Sequence, residues 1–304
     1  MKRLLIILCF IVQMTAYAFD KVQYTFDPAP IDVIIPCTDK DIPTLDLCID
    51  GIRKNGRGIR RVIVVSAKRL TEKAEWFNER NYPFTPFDLA LEIFRNHANA
   101  ASSAHAYVSS KKTRVGWIYQ QFLKFYAPFV IPDLSSNILI LDADTIFLNP
   151  VSFLGDQGQG LYNPGTEHHF PYFELMGRLI PGLKKVFPKL SGISHHMLFQ
   201  KTVLKDLLYT IESIHQIDAW KAICRCIDHR FLYEAALSEY EIYFNFVFTR
   251  SDQMKVRYLK WTNIQKIEDI RKYKKRGYHY VSCHSYARKP TSTGKAHETL
   301  KKTD

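Results

Sequence analysis

Two aspartates, Asp142 and Asp144, stand one residue apart after the run Ile138-Leu139-Ile140-Leu141. Four apolar residues in a row read as a strand buried on both faces, and carboxylates are costly inside such a core. The pair therefore marks the strand's carboxyl end, the edge at which open α/β sheets bind ligands. On an extended chain residues i and i+2 point the same way. Read so, Asp142 and Asp144 clasp one hard divalent cation and leave its other positions to phosphate oxygens. Carboxylates this close repel unless something positive lies between them. The plainer alternative is a strand-ending turn with Asp as turn former.

Other residues could add to that chemistry. His284, in Val281-Ser282-Cys283-His284-Ser285, follows a late apolar strand, either as a ligand or as a surface histidine. His195 and His196 are adjacent on an expected strand, so alternation sends them to opposite faces and argues against a zinc pair. Trp117, Gln121 and Lys124 fall at i, i+4 and i+7 on one helix face. They could stack a base or sugar and meet a phosphate, or be a core Trp and a solvated Lys. Arg114 precedes that helix. Ser238 and Glu241 have capping-box spacing, whereas Glu239 has no such local duty. Asp39 can accept from a nucleobase or ribose, or cap the helix starting near Pro43. Ser66 ends the second apolar strand at the same edge.

Two families carry D-x-D after an apolar strand. Haloacid-dehalogenase-type phosphotransferases have D-x-D-x-T/V with a nucleophilic first Asp. Here Ile146 holds the fifth position, Thr145 comes one place early, and no downstream G-D-x-x-x-D follows. The chain more fully resembles nucleotide-diphospho-sugar glycosyltransferases of the GT-A fold, in an uncharacterised bacterial branch. Leu141–Pro150 looks like their D-A-D-T-x-F-x-x-P segment, and Val33 to Asp39 like their first strand and nucleotide pocket. Gly116-Trp117-Ile118-Tyr119-Gln120-Gln121-Phe122-Leu123-Lys124 is similar to a G-W-x-x-Q-Q-x-x-K helix of that branch. Ser194-His195-His196-Met197 and Ser238-Glu239-Tyr240-Glu241 add two more matches.

The resemblance implies a metal-dependent transferase that moves a sugar from a nucleotide-diphospho-sugar, UDP favoured, to a carbohydrate, lipid or protein acceptor. Its divalent cation, Mn2+ or Mg2+, would be held by Asp142, Asp144 and His284. Pro36, Cys37, Thr38, Asp39, Ser66, Arg114, Trp117, Gln121, Lys124 and Ala143 would border the donor. His195 and His196 would offer a group to acceptor hydroxyls, and Glu239 or Glu241 would serve as base or acceptor-positioning carboxylate. A non-catalytic, exported carbohydrate-binding protein on the same scaffold is the non-enzymatic alternative.

The elements that must position these residues are legible as well. Short apolar runs at 33–36, 61–66, 138–142, 196–199, 256–259 and 278–283 read as strands. Helical patterns lie at 43–54, 115–127, 202–214, 238–248 and 267–275. Strands alternating with helices predict β-α-β units. The expected fold is therefore α/β: one GT-A-like domain over residues 19–287, a mostly parallel Rossmann-like sheet flanked by helices. With 304 residues, 46% hydrophobic and 24% charged, the chain is neither disordered nor a polytopic membrane protein.

Residues 1–18, with Lys2 and Arg3, an apolar run and Ala16-Tyr17-Ala18, read as a secretory signal peptide or a marginal membrane anchor. The expectation is an exported, periplasmic or membrane-held protein. Six cysteines, one of them in that segment, do not make a disulfide framework. A net charge of +12, clustered at 51–70 and 272–276, suits a solvated face or an anionic membrane surface. Nucleic acid is not expected, since no binding motif accompanies the charge. Residues 288–304 read as a basic, mobile tail.

Overall fold

A computed structural model describes residues 20–289. The signal or anchor at 1–18 and the tail from 290 on lie outside the described residues. Strands β1 (Ile31–Pro36), β2 (Ile59–Ser66), β3 (Glu75–Asn78), β4 (Asn137–Leu141) and β7 (His196–Gln200) make a five-stranded sheet of order β3-β2-β1-β4-β7. Every pairing is parallel except that of β4 with β7. The expected mostly parallel α/β sheet is thus present.

Both faces are covered, which explains the unbroken apolar runs. Ile34, Ile63, Val65, Ile138, Ile140 and Phe199 enter one core, while Val33, Ile35, Val64, Leu139, Leu141 and Leu198 enter the other. Alternate residues of each strand serve opposite layers. Helix α1 (Ile42–Asn55) fills the second layer with Leu45, Cys48, Ile49 and Ile52. The first layer holds α2 (Pro86–Ile93), α3 (Ala100–Ser109), α4 (Val115–Val130), α5 (Phe170–Leu179), α6 (Lys201–His215), α7 (Ala219–Cys226) and α8 (Glu239–Arg250).

Two features bring distant residues to the carboxyl edge of β4. Because β7 runs antiparallel, its first residue, His196, pairs with the last residue of β4, Leu141. A second sheet of order β5-β10-β9 joins β5 (Thr145–Phe147), β9 (Trp261–Asn263) and β10 (Tyr280–Ser282). There β10 pairs antiparallel with β5, Ser282 opposite Thr145, so the chain beyond Ser282 passes Asp144. Gly51 lets α1 sit on β5: a Cβ there would stand 2.9 Å from the Phe147 carbonyl oxygen.

The strand expected at 256–259 is only β8 (Lys255–Val256), which pairs in parallel with β6 (Leu161–Tyr162), and the helix at 267–275 starts with a 3-10 turn. Helices α2, α3, α5 and α7 were not expected from the sequence.

Candidate metal centre at the sheet edge

Asp142 and Asp144 leave β4 in a turn, not in an extended strand: the Thr145 amide donates to the Asp142 carbonyl at 3.0 Å. The rule that i and i+2 share a face fails there, and the two carboxylates take different partners. Asp142 Oδ1 lies 2.8 Å from Lys124 Nζ and accepts from the Tyr240 hydroxyl at 3.5 Å. Asp144 Oδ1 accepts from Ser282 Oγ at 2.9 Å, and Oδ2 lies 2.8 Å from His284 Nδ1. The expected clasp of both aspartates on one cation is not formed in this arrangement, in which they share no partner.

Among the described residues a cluster that could hold a cation is formed by Asp144, His195 and His284, whose ligand atoms all lie within 4.8 Å of one another. Three donors that close fit a single ion. One carboxylate with two imidazoles suits manganese or a later divalent metal better than magnesium, which prefers oxygen alone. Burial depresses His195 to about 4, so its imidazole is neutral, as a ligand must be. Burial would also raise Asp144, but hydrogen bonds from His284 and Ser282 and the nearby histidine charge outweigh it and hold the carboxyl below its usual range. Burial opposes a charge on His284, yet Asp144 lifts its pKa above the ordinary value. Trp261 packs edge-on against His195, ring centroids 4.7 Å apart, and stacks on Tyr280 at 5.5 Å.

Beside this cluster Lys124 is buried between two acids, 2.8 Å from Asp142 Oδ1 and 2.8 Å from Glu239 Oε1. Its ammonium also sits 4.4 Å from the centroid of the Tyr240 ring. Burial alone would lower the Lys124 pKa; the two carboxylates raise it instead. Burial pushes the Glu239 carboxyl up against the pull of Lys124. The lysine is therefore an internal counterion and not a solvated helix end.

Glu241 is not brought to the centre. Its Oε2 accepts from the Gly192 amide at 2.9 Å and its Oε1 from Asn245 Nδ2 at 2.6 Å. Ser238 caps α8 by accepting from the Glu241 amide, so only half of the expected capping box forms. Gly192 allows this close approach, since a Cβ would meet the Tyr240 carbonyl oxygen at 2.6 Å.

His196 packs in the core against Phe147, Phe153 and Tyr280, away from its neighbour, as alternation requires. It is too buried to meet an acceptor. Trp117 donates to the Leu237 carbonyl at 3.2 Å, and Gln121 returns its amide to the Trp117 carbonyl at 2.9 Å. Only Lys124 of that helix face reaches the centre. Arg114 lies over the Trp117 ring, 5.2 Å from its centroid.

At the ends of β1 and β2, Pro36, Cys37 and Ser66 are buried and Thr38 and Asp39 exposed. Asp39 pairs with Lys68 at 2.9 Å and caps no helix. Ser66 Oγ donates to the Lys68 carbonyl, the Cys37 thiol is pushed up to about 12 by burial, and Ala143 is buried within the turn.

Sequence reasoning missed two residues here. Asp41 is a buried carboxylate whose Oδ1 has no hydrogen-bond partner among the described residues. Burial raises its pKa, and Asp144 and Asp142 add to the rise. Arg288, assigned to a mobile tail, stands 3.5 Å from Asp41 Oδ1 and donates to the carbonyls of Lys40 at 3.2 Å and Cys283 at 2.9 Å. It ties the segment bearing His284 to the start of α1. The signal that could have found Asp41 is its place two residues after Asp39 at the first strand's edge.

Residues 44–286 match the profile of a family described as "Family of unknown function (DUF6492)". No curated protein matches the chain. Among solved structures it is similar to the WbbM bifunctional glycosyltransferase in its apo form, at 9% identity and a TM-score of 0.42 over 86% of this chain. The chain spans about half of that structure, 47% of its length. It is also similar to mouse xyloside xylosyltransferase 1, apo form, at 9% identity and a TM-score of 0.39, covering 86% of this chain and 99% of that one.

Proposed function

The chain belongs to the family of unknown function DUF6492, and we propose that it is a metal-dependent glycosyltransferase. It would transfer a sugar from a nucleotide-diphospho-sugar, UDP favoured, to a carbohydrate, lipid or protein hydroxyl. The observation that carries this reading is the Asp144–His195–His284 cluster at the carboxyl edge of an open, mostly parallel sheet. Residues 19–287 would be the catalytic domain. Its export or anchoring by residues 1–18 and contact of the basic face with a membrane belong to the same proposal. Among the described residues no helix is long and apolar enough to cross a membrane.

A bound Mn2+ supplies stabilisation of the charge that builds on the departing diphosphate. Asp144, His195 and His284 would hold it, with Ser282 orienting the Asp144 carboxylate. Asp142 keeps Oδ1 on Lys124 and Tyr240, which leaves Oδ2 for a ribose hydroxyl or the metal's coordination sphere. Pro36, Cys37, Thr38, Asp39 and Ser66 would border the nucleoside at the adjoining strand ends. Glu239, the acid beside Asp142, is buried on Lys124. In this reading it positions Asp142 and takes the acceptor proton only if the acceptor displaces that ion pair.

The test is a melting-temperature screen of the full chain with Mn2+ and nucleoside diphosphates, followed by nucleotide-sugar hydrolysis. Mn2+ with UDP should raise the melting temperature, and Asp144→Asn should abolish the rise without unfolding the protein. Absence of any response to Mn2+ with every nucleoside diphosphate would defeat the reading and leave the non-catalytic carbohydrate-binding alternative.

A further inference from the structure

The basic run at 51–70 divides in the folded chain. Arg60, Arg61, Lys68 and Arg69 each pair with an acid, namely Asp32, Glu75, Asp39 and Glu72. Arg53, Lys54 and Arg57, at the end of α1 and just beyond it, are exposed and meet no carboxylate among the described residues. The same holds of Lys274, Lys275 and Arg276, at the end of helix α9 (Ile270–Lys275).

Hydrogen bonds stitch these two sets together through the segment after β5. The Arg57 amide donates to the Val151 carbonyl at 2.9 Å, and the Val151 amide to the Asn55 carbonyl at 2.8 Å. Two residues earlier, Asn149 Nδ2 donates to the Tyr278 carbonyl at 2.7 Å and reaches the Lys274 carbonyl at 3.5 Å. Lys260 Nζ donates to the Arg276 carbonyl at 2.9 Å and adds a further exposed cation. Residues 51–58, 147–152, 255–263 and 270–280, which build this surface, contain no Asp or Glu. Cations gathered without acids between them raise a positive potential that draws anions from outside.

The surface lies away from the candidate metal centre. Asp41 precedes α1 beside that centre, and the 14 residues of the helix carry its basic end about 20 Å off. Glu239 starts α8, and Arg250, at the other end of its 12 residues, donates to the Asp20 carbonyl at 2.7 Å. Residue 20, which follows the expected signal or anchor, thus stands remote from the centre as well.

We propose that this surface docks on an anionic phospholipid bilayer, leaving the metal centre turned to the aqueous side. The proposal rests on the membrane contact included in the function above, and gives that contact its residues, its lipid charge and its orientation. Tyr258, 73% exposed and two residues before Lys260, is the amphipathic kind of side chain that settles at headgroup level. A polybasic surface and a marginal apolar anchor are each weak, and together they hold a protein at a bilayer.

The test is co-sedimentation of the full chain, without Mn2+ or nucleotide, with phosphatidylcholine vesicles holding about 30% phosphatidylglycerol. Binding should exceed that on pure phosphatidylcholine, and about 0.5 M sodium chloride should release the excess. Each cation near such a surface is worth about fivefold in partition, so Lys274→Gln with Lys275→Gln should lower binding about 25-fold. The same two substitutions at Lys111 and Lys112, exposed cations before α4, should leave it within about twofold. Equal partition into both vesicles, equal loss from both pairs of substitutions, or binding to duplex DNA with the vesicles left bare would overturn the proposal. The vesicle comparison and the salt release use the unaltered protein, so a misfolded variant does not blunt the test. With neither metal nor donor present, failure here leaves the transferase reading standing, and failure of that reading leaves this measurement intact.

Discussion

Replacing Lys124 by Met tests whether the buried ammonium is the counterion that Asp142 and Glu239 require. Lys124 and Glu239 have side chains 5% and 1% exposed, so water cannot take over the lost partner. Removing one member of a buried ion pair costs about 3–5 kcal/mol, because the remaining charge stays buried without compensation. At roughly 2 °C per kcal/mol for a chain of this size, melting should fall by about 6–10 °C. The loss should also depend on pH. Burial already raises the Glu239 carboxyl, and without Lys124 its folded-state pKa rises further above the unfolded value. A group shifted in that direction contributes stability below its unfolded pKa and loses it as pH rises through the folded one. The deficit of Lys124→Met should therefore be largest near pH 8 and shrink near pH 5. Adding Glu239→Gln to Lys124→Met should restore part of the loss at pH 8, since an amide replaces the unpaired charge. Melting curves by circular dichroism at both pH values read all three effects. A deficit below about 1 kcal/mol, or one equal at both pH values, would refute the counterion account.

Ser282→Ala removes the hydroxyl that orients Asp144 and should weaken Mn2+ binding about 10–100-fold with little change in melting, measured by calorimetric titration. Arg288→Ala frees the Cys283 carbonyl and removes the guanidinium beside Asp41. Mn2+ affinity should drop by a similar factor, and Arg288→Lys, which keeps the charge but not the fork, should recover only part. Glu241→Ala leaves the Gly192 amide unpaired and should cost about 1–3 kcal/mol, whereas Glu241→Gln should melt near wild type and keep its transfer activity per folded molecule. Loss of transfer in a folded Glu241→Gln protein would return Glu241 to the catalytic machinery.

The strands that build the main sheet were legible because a sheet covered on both faces writes itself as continuous apolar runs, as at Ile138 to Leu141. Helices α2, α3 and α7 were not, since pieces of 8, 10 and 8 residues take their stability from packing more than from their own pattern. The site was half legible. Asp144 and His284 could be named because both follow apolar strands at a sheet edge. His195 was placed with the acceptor instead, since its arrival depends on β7 running antiparallel to β4, a long-range pairing that no local window records. The divergence of Asp142 from Asp144 was hidden for the converse reason. One local hydrogen bond, Thr145 to Asp142, turns the backbone where strand periodicity assumes that it runs straight.

Asp41, Asp142 and Asp144 converge on one edge, and their mutual effect is visible in the raised Asp41 carboxyl. Three anions in a partly desolvated place repel, so each needs positive charge or must hold a proton. The fold gives Asp142 the ammonium of Lys124 and sets Asp41 beside the guanidinium of Arg288, both carried on the chain itself. Among the described residues Asp144 pairs with no Lys or Arg. Its partners are a serine hydroxyl and imidazoles, groups that can give way to a cation or ligate it. Such a distribution makes one carboxylate of the three exchangeable and fixes the other two. That asymmetry is what the proposed uptake of one divalent ion requires, since the partners of Asp144 can exchange for a cation while those of Asp142 and Asp41 carry charges of their own.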